Sequence, residues 1–234
     1  MAFPLPKILR DQRDLLLFRP FRPSIKEHWP AYLAWGLLTA WLAGIGRYWD
    51  HPNAAWWQYA GLGSVSYVFV LASFLWVLVA PLRPRNWSFV GVLIFVTLTS
   101  LPALLYAIPV EKVMALEYAQ TANVLFLAVV ASWRVALLIV FLKRAAGLSP
   151  TGVAVATLLP LTVIVTALTA LNLEQAVFEI MGGNREQTQN DAAYLVLMLI
   201  TTFSVLAKSV VLILYFVLVY QAWKIPAARE KERS

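Results

Sequence analysis

The sequence has no cysteine among its 234 residues and only two histidines, His28 and His51. Without thiols, the chain cannot form disulfides, iron–sulfur clusters, thiolate metal sites or a cysteine nucleophile. The two histidines flank the first long apolar stretch, so we expect them on opposite sides of a membrane and unable to share a metal or a haem. No metalloprotease, serine-hydrolase, P-loop or dinucleotide-binding motif is present. The sequence therefore predicts no catalytic residue, no metal site and no cofactor.

Charged residues are scarce as well. They make up 13% of the chain, against roughly 25% in soluble proteins. Hydrophobic residues make up 61%, and a small globular core cannot hide that much apolar surface. The bilayer is the second apolar solvent that this composition needs. The net charge of +7 then indicates contact with anionic lipid rather than nucleic acid, since no basic stripe interleaved with aromatics lies outside the apolar stretches.

Six apolar stretches come after the first 30 residues, and each is near the roughly 20 residues that cross a bilayer as a helix. They are residues 31–49, 56–80, 87–108, 119–142, 151–171 and 192–222. No turn residue interrupts the long last stretch, so we expect one helix rather than a re-entrant pair. The predicted fold is all-α: a polytopic transmembrane helical bundle of about six spans (31–222) with no soluble domain. A basic cytoplasmic or interfacial segment (1–30) precedes it, and a charged cytoplasmic tail (223–234) succeeds it.

Positive charge is divided unequally between the connectors. Fourteen Lys and Arg residues fall in the N-terminal segment, the second and fourth connectors and the C-terminal tail, against three in the other connectors. Cations accumulate on the cytoplasmic side of membrane proteins. The division predicts that both termini are cytoplasmic, in a cell membrane of bacterial inner-membrane type. Residues 1–30 lack the apolar core of a signal peptide, so we expect the first span to direct insertion.

Two cations interrupt the spans themselves. Arg134 lies in the fourth span and Lys208 near the middle of the sixth. A charge in hydrocarbon is costly, so such residues face a cavity, a ligand or a polar partner. We predict that Lys208 and Arg134 bind a ligand or a partner. The alternatives are that Arg134 snorkels to the interface and that either cation is solvated by neighbouring hydroxyls. No Asp or Glu lies deep in a span, so any counter-charge comes from outside the chain.

The N-terminal segment carries a short apolar patch, residues 15–18, among cations and prolines. Phe18 with Arg13, Arg19 and Arg22 is predicted to contact the inner leaflet, because apolar and cationic side chains together favour the membrane surface. The alternative is a partly ordered tail.

Prolines and small residues predict local shape within the spans. Pro102 and Pro160 each free a backbone carbonyl and are expected to kink the third and fifth spans. Gly36, Ala40 and Gly44 recur every four residues along the first span. That spacing indicates one small face on which another helix can approach closely.

Three stretches carry a family resemblance. They are Leu17-Phe18-Arg19-Pro20, Trp133-Arg134-Val135-Ala136-Leu137, and Leu142-Lys143-Arg144 with Gly147-Leu148-Ser149. With the short connectors, they resemble bacterial members of the Yip1-type membrane family over about half the chain. That family usually has five spans, whereas six are predicted here. The resemblance implies a non-enzymatic helical membrane protein that binds partners or shapes membranes, and it transfers no functional residue.

The predicted function is that of a non-enzymatic integral membrane protein, a subunit or scaffold that works through protein and lipid contacts. Its expected partners are membrane lipids and other membrane subunits or further copies of itself, with no nucleic acid. The alternative is a small transporter or channel for an anionic solute or lipid, with Lys208 and Arg134 along the path. A membrane enzyme is a third alternative.

Overall fold

A computed structural model describes residues 4–21, 23–49, 54–171 and 191–231. Its α-helices are α1 (Leu5–Leu16), α2 (Ile25–Tyr48), α3 (Trp56–Tyr59), α4 (Leu62–Val79), α5 (Phe89–Leu98), α6 (Leu116–Arg144), α7 (Pro150–Ala170) and α8 (Asp191–Lys231). Short 3-10 helices cover Ala80–Leu82, Leu101–Ala107 and Val110–Lys112. Within these ranges no strand forms, and the fold is all-helical as predicted.

Five helical stretches are long and apolar enough to cross a membrane. They are Leu62–Leu82, Phe89–Ala107, Thr121–Arg144, Pro150–Ala170 and Met198–Lys224. The first predicted span, 31–49, lies in α2, whose 24 residues reach about 36 Å. Tryptophans, glycines and Arg47 make α2 less apolar than the other five. The protein is therefore a polytopic membrane protein with five such helices among its described residues, where about six were predicted.

The chain forms two compact units. The first contains Met1–Trp76 and Trp87–Val140, and the second contains Val77–Asn86 and Phe141–Ser234. In the first unit, α2 packs along α5 and along the 3-10 helix Leu101–Ala107. Seven consecutive α5 residues, from Val92 to Leu98, are buried, so α5 forms the centre of this unit.

Close helix contacts in the first unit depend on the small residues of α2. A Cβ added at Gly36 would lie 2.6 Å from the Thr97 Cβ, and one added at Gly44 would lie 2.8 Å from the Gly61 carbonyl oxygen. Gly61 itself has φ +68, a conformation that glycine adopts without strain. The predicted small face of α2 is therefore where α5 and the start of α4 approach.

The third predicted span changes helix type at its proline. In an α-helix the Leu98 carbonyl would accept from the N–H of residue 102, but Pro102 has none. The α-helix ends at Leu98, and a 3-10 helix begins at Leu101. Pro160 behaves differently, because α7 continues through it to Ala170.

The second unit is built on a pair of long helices. α7 packs along α8. The N–H of Arg85 donates to the Ala146 carbonyl at 2.8 Å, just before α7 begins. The Trp223 indole of α8 donates to the Pro81 carbonyl at 3.1 Å. Since Pro81 and Arg85 belong to one short connector, the start of α7 and the Trp223 end of α8 lie together, and the two helices are antiparallel.

We expect Gly36→Val to destabilise the protein, because the added methyl groups would overlap Thr97 and overpacking typically costs about 1–3 kcal/mol. Thermal unfolding in lipid nanodiscs measures this as a lower midpoint. Ala34→Val is the matched control, since Ala34 lies on the exposed side of the same helix. Equal midpoints for the two variants would contradict the close α2–α5 contact.

Candidate functional site

Several cations in this protein lie over aromatic rings. Six Lys or Arg side chains lie over a ring: Lys7 over Tyr32, Arg47 over Tyr106, Arg83 over Trp223, Lys112 over Trp49, Arg134 over Tyr67 and Lys224 over Tyr220. Ion pairs lie in and just after α1, where Lys7 meets Asp11 and where Arg13 and Arg19 meet Asp14. A ring face attracts a cation without adding a second charge to desolvate, which suits an apolar solvent.

Arg134 conforms to this pattern in the first unit. Its guanidinium carbon lies 5.5 Å from the centre of the Tyr67 ring on α4. Arg134 is ten residues from the end of α6 at Arg144, about 15 Å along the helix. A half-exposed Arg134 and an exposed Tyr67 leave the pair on the surface of the unit. The ring therefore supplies a partner for the charge within this chain.

The N-terminal segment forms a helix that docks onto the first unit. Gln12 is 2% exposed, and its side-chain amide donates to the Leu98 carbonyl at 3.0 Å. The Trp35 indole donates to the Gln12 side-chain oxygen at 2.7 Å, and the Trp133 indole donates to the carbonyl of Leu16, the last residue of α1, at 3.0 Å. Gln12 thus satisfies the carbonyl that Pro102 leaves without its helical partner.

α1 and the residues directly after it carry three of the four predicted membrane-contact residues. Phe18 is exposed and takes a left-handed conformation with φ 60. Arg13 and Arg19 pair with Asp14 at 3.1 and 3.8 Å. Arg22 lies outside the described residues. Leu15, in contrast, is buried, so the predicted apolar patch is divided between the protein and its surroundings.

A second polar group joins α1 to α2. The Lys7 ammonium donates to Asp11 at 3.0 Å and to the Tyr32 hydroxyl at 3.1 Å, and Tyr32 donates to Asp11. The hydrogen bond with Tyr32, together with the weaker interactions with Asp11, raises the pKa of Lys7 against the opposing effect of desolvation. Lys7 therefore stays cationic, and the group helps to hold α1 in place.

Five cations gather at one end of the second unit, and we call them the basic collar. They are Arg83, Arg85, Lys143, Arg144 and Lys224, and all are exposed. The Arg83 guanidinium lies 4.0 Å from the centre of the Trp223 ring. Gly147, with φ +64, leaves room for the Arg85 side chain, which a Cβ would meet at 3.1 Å. The contacts at Ala146 and Pro81 bring the connector carrying Arg83 and Arg85 to the ends of α6 and α8.

Lys208 is a cation within a predicted span that does not follow this pattern. In the part of the chain that the structure describes, no ring and no carboxylate partners its ammonium. The buried residues Ser204, Val211 and Tyr215 share its face of α8, at the i−4, i+3 and i+7 positions. Tyr215 donates to the Leu78 carbonyl at 2.9 Å. Lys208 therefore lies in the packed stripe of α8.

Unpaired hydroxyls occur in the same helix pair. The side-chain oxygens of Thr157, Thr166 and Thr169 on α7 and of Thr201 on α8 are buried without a hydrogen-bond partner. Other helical hydroxyls bond the preceding turn, as Thr162 does with the Leu159 carbonyl at 3.0 Å. A buried polar group without a partner costs about 1–3 kcal/mol, so several in one place call for an explanation.

The structure places the two predicted cations in different units, Arg134 in the first and Lys208 in the second. Among the residues described, no three His, Asp, Glu or Cys side chains come together as metal ligands. Sequence reasoning missed Gln12, Tyr67 and Trp223. The unmatched carbonyl of Leu98 was readable from Pro102, but its partner lies 86 residues away.

Replacing Tyr67 by leucine should lower the stability by about 0.5–2 kcal/mol, the range for a cation over an aromatic ring. Tyr67→Phe, which keeps the ring, is the control and should have little effect. A double-mutant cycle with Arg134→Gln, read by thermal unfolding in nanodiscs, isolates the coupling between the two side chains. If Tyr67→Leu and Arg134→Gln were simply additive, the ring would not be the partner of Arg134.

Comparison with known proteins places the chain among membrane proteins without giving it an activity. A UPF0060 membrane protein from Janthinobacterium sp. (strain Marseille) is 42% identical over 78 residues, which are 33% of this chain and 62% of the relative. The chain thus spans less than two thirds of that relative's length. No family model and no solved structure matches. Together with the apolar helices, the similarity supports a multi-pass membrane protein of bacterial type, without support for the Yip1-type family in particular.

Proposed function

We propose that this protein is a non-enzymatic subunit or scaffold of the membrane that works through contacts with anionic lipids and neighbouring membrane proteins. The observation that carries the proposal is the basic collar of the second unit. Five exposed cations converge there, at one end of the second unit. Each such cation contributes about 1 kcal/mol of attraction to an anionic leaflet.

Trp223 gives the collar the geometry of a lipid contact. Its indole N–H is used by the Pro81 carbonyl, and one ring face carries Arg83. Tryptophan favours the membrane–water boundary, where its ring is buried and its polar atom is hydrogen-bonded. Arg83 on that ring is thus set at the depth of lipid phosphates, and Lys224 beside Tyr220 repeats the arrangement.

The exposed face of α1 offers a further lipid contact in the first unit. Leu17 and Phe18 are exposed, next to Arg13 and Arg19, and this combination favours the membrane surface. The Yip1-type resemblance supports the same role, because it implies proteins that bind partners or shape membranes. The wide exposed apolar face of α8, including Leu206, Ile213 and Phe216, is available to lipid or to another subunit.

The proposed orientation puts the collar and both termini in the cytoplasm of a bacterial cell, because cations accumulate on that side. Reporter fusions after Lys224 and between Arg83 and Arg85 should both read cytoplasmic. A fusion at Asn184, which lies outside the described residues, should read external. A cytoplasmic signal at Asn184 would rule out this orientation.

Removing two collar charges should weaken binding of anionic lipid. With about 1 kcal/mol for each cation, and so about 2 kcal/mol for two, the double variant Arg83→Gln, Arg85→Gln should retain phosphatidylglycerol about thirtyfold less than the wild type. Mass spectrometry of lipids that remain bound after purification measures this. The double variant Arg47→Gln, Lys112→Gln removes the same charge from cations outside the collar and should retain phosphatidylglycerol as the wild type does. Equal losses in both variants would mean that the collar has no special role.

Transport of an anionic solute or lipid is the second candidate, and Lys208 is the observation that favours it. A cation within a spanning helix is typical of ion and substrate pathways. Flux of a carboxylate or phosphate solute into proteoliposomes, lost in Lys208→Met, would favour transport over a scaffold role. Lys208-independent leakage would count against it.

A further inference from the structure

We propose that α7 and α8 enclose a buried oxyanion-binding site, formed by the Lys208 ammonium with the hydroxyls of Thr166, Thr169 and Thr201. Its ligand carries a carboxylate or a phosphate, either as a free solute or as a lipid headgroup. The site goes beyond the lipid contacts of the basic collar and does not depend on them.

The register of the helix pair places these groups within about 11 Å of one another along the helix axes. Pro150 of α7 and Trp223 of α8 lie at the same end of the helix pair, and we measure from there. Lys208 is 15 residues from Trp223, and Thr166 is 16 residues from Pro150. Each therefore lies about 22–24 Å along its helix. Thr169 lies at about 28 Å and Thr201 at about 33 Å on the same scale. Because side chains lean toward the N-terminus of their helix, Lys208 extends toward the level of Thr169 and Thr201.

The last three threonines of α7 lie on one side of that helix, and Thr201 and Lys208 lie on one side of α8. Thr162, Thr166 and Thr169 recur at i, i+4 and i+7, which is one side of α7. Thr201, Ser204 and Lys208 recur at i, i+3 and i+7, on the side of α8 that buries Ser204. α8 packs along α7, and the proposed site puts the buried oxygens of Thr166 and Thr169 on the side of α7 that meets α8.

The chemistry of the unmatched groups selects an anion. An ammonium has three donors and no acceptor, while a hydroxyl can donate or accept. Among the described residues the hydroxyls have no partner, so the Lys208 nitrogen is not bonded to them. What the site lacks is an acceptor between these donors. Water would satisfy the hydroxyls but leave the charge uncompensated in a spanning helix, whereas an oxyanion satisfies both.

The test uses the full chain in nanodiscs of zwitterionic lipid. Sodium acetate and inorganic phosphate are titrated at constant ionic strength, and phosphatidylglycerol is incorporated in a separate series, with the unfolding temperature as readout. Wild type should be stabilised by at least one probe, and Lys208→Met should bind that probe at least about tenfold more weakly, which corresponds to about 1.4 kcal/mol. Thr201→Val, which keeps the charge, should weaken it less.

Thr157→Val is the matched control. Thr157 is also a buried, unpaired threonine of α7, but it lies about 13 Å along the helix from Thr166. This variant should bind every probe as the wild type does. Stabilisation by acetate or phosphate identifies a free solute, and stabilisation by phosphatidylglycerol alone identifies a lipid headgroup.

Three results would overturn the site: no probe that stabilises the wild type, stabilisation that Lys208→Met keeps in full, or an anion-independent loss of oligomers in Lys208→Met. The last result would show that Lys208 meets a carboxylate of another subunit. If Lys208→Met does not fold, the same titration is carried out on Thr201→Val and Thr157→Val. The proposal then predicts weaker probe binding by Thr201→Val than by Thr157→Val. Equal binding by those two variants would then refute the proposal.

Discussion

One unmet hydrogen bond organises the first unit. Pro102 cannot donate to the Leu98 carbonyl, and hydrocarbon offers no water to replace the missing N–H. Gln12 supplies the donor from the N-terminal helix, and Trp35 fixes the other end of the same amide. An unpaired carbonyl at that position would cost free energy comparable to a lost hydrogen bond. The break in the third span and the docking of α1 thus both follow from the hydrogen bond that the Leu98 carbonyl requires.

The hydrocarbon of the bilayer also explains how the protein accommodates its charged side chains. In the described ranges, several Arg and Lys side chains lie over rings, among them Tyr67, Tyr106 and Trp223, because a ring attracts a cation without a second ion to desolvate. Lys208 has neither a ring nor a carboxylate partner among the described residues, and the helix pair that carries it buries hydroxyls without a described partner. A charge for which the fold provides no partner is where a ligand has the most to contribute.

Composition and residue spacing predicted the architecture. An all-helical membrane bundle came from the apolar stretches, and the close approach at Gly36 came from small residues spaced by four. The lower hydropathy of α2 was also readable from its tryptophans, glycines and Arg47, although the stretch was counted as a sixth span. The sequence could not supply long-range partners. Pro102 indicates a free carbonyl, but nothing in the order of residues points to Gln12.

The candidate site was likewise predictable from the sequence only in part. Lys208 and Arg134 stand out in sequence because charge is rare in a span. That Arg134 has a ring and Lys208 has none among the described residues depends on which helices pack together, and only the structure gives that. The threonines of α7 were equally visible, since Thr162, Thr166 and Thr169 are regularly spaced. Their meaning depends on which hydroxyls lack a partner, and sequence does not contain that information.

Amide hydrogen exchange of α1 in lipid nanodiscs tests the organising hydrogen bond most directly. In the wild type, amides across residues 8–16 should be protected, because the helix is docked through Gln12. Gln12→Leu should expose them to exchange while α5 stays protected, and Arg10→Gln, a change on the exposed side of the same helix, should leave the protection intact. Full protection of α1 in Gln12→Leu would show that the Leu98 carbonyl does not hold the N-terminal helix in place.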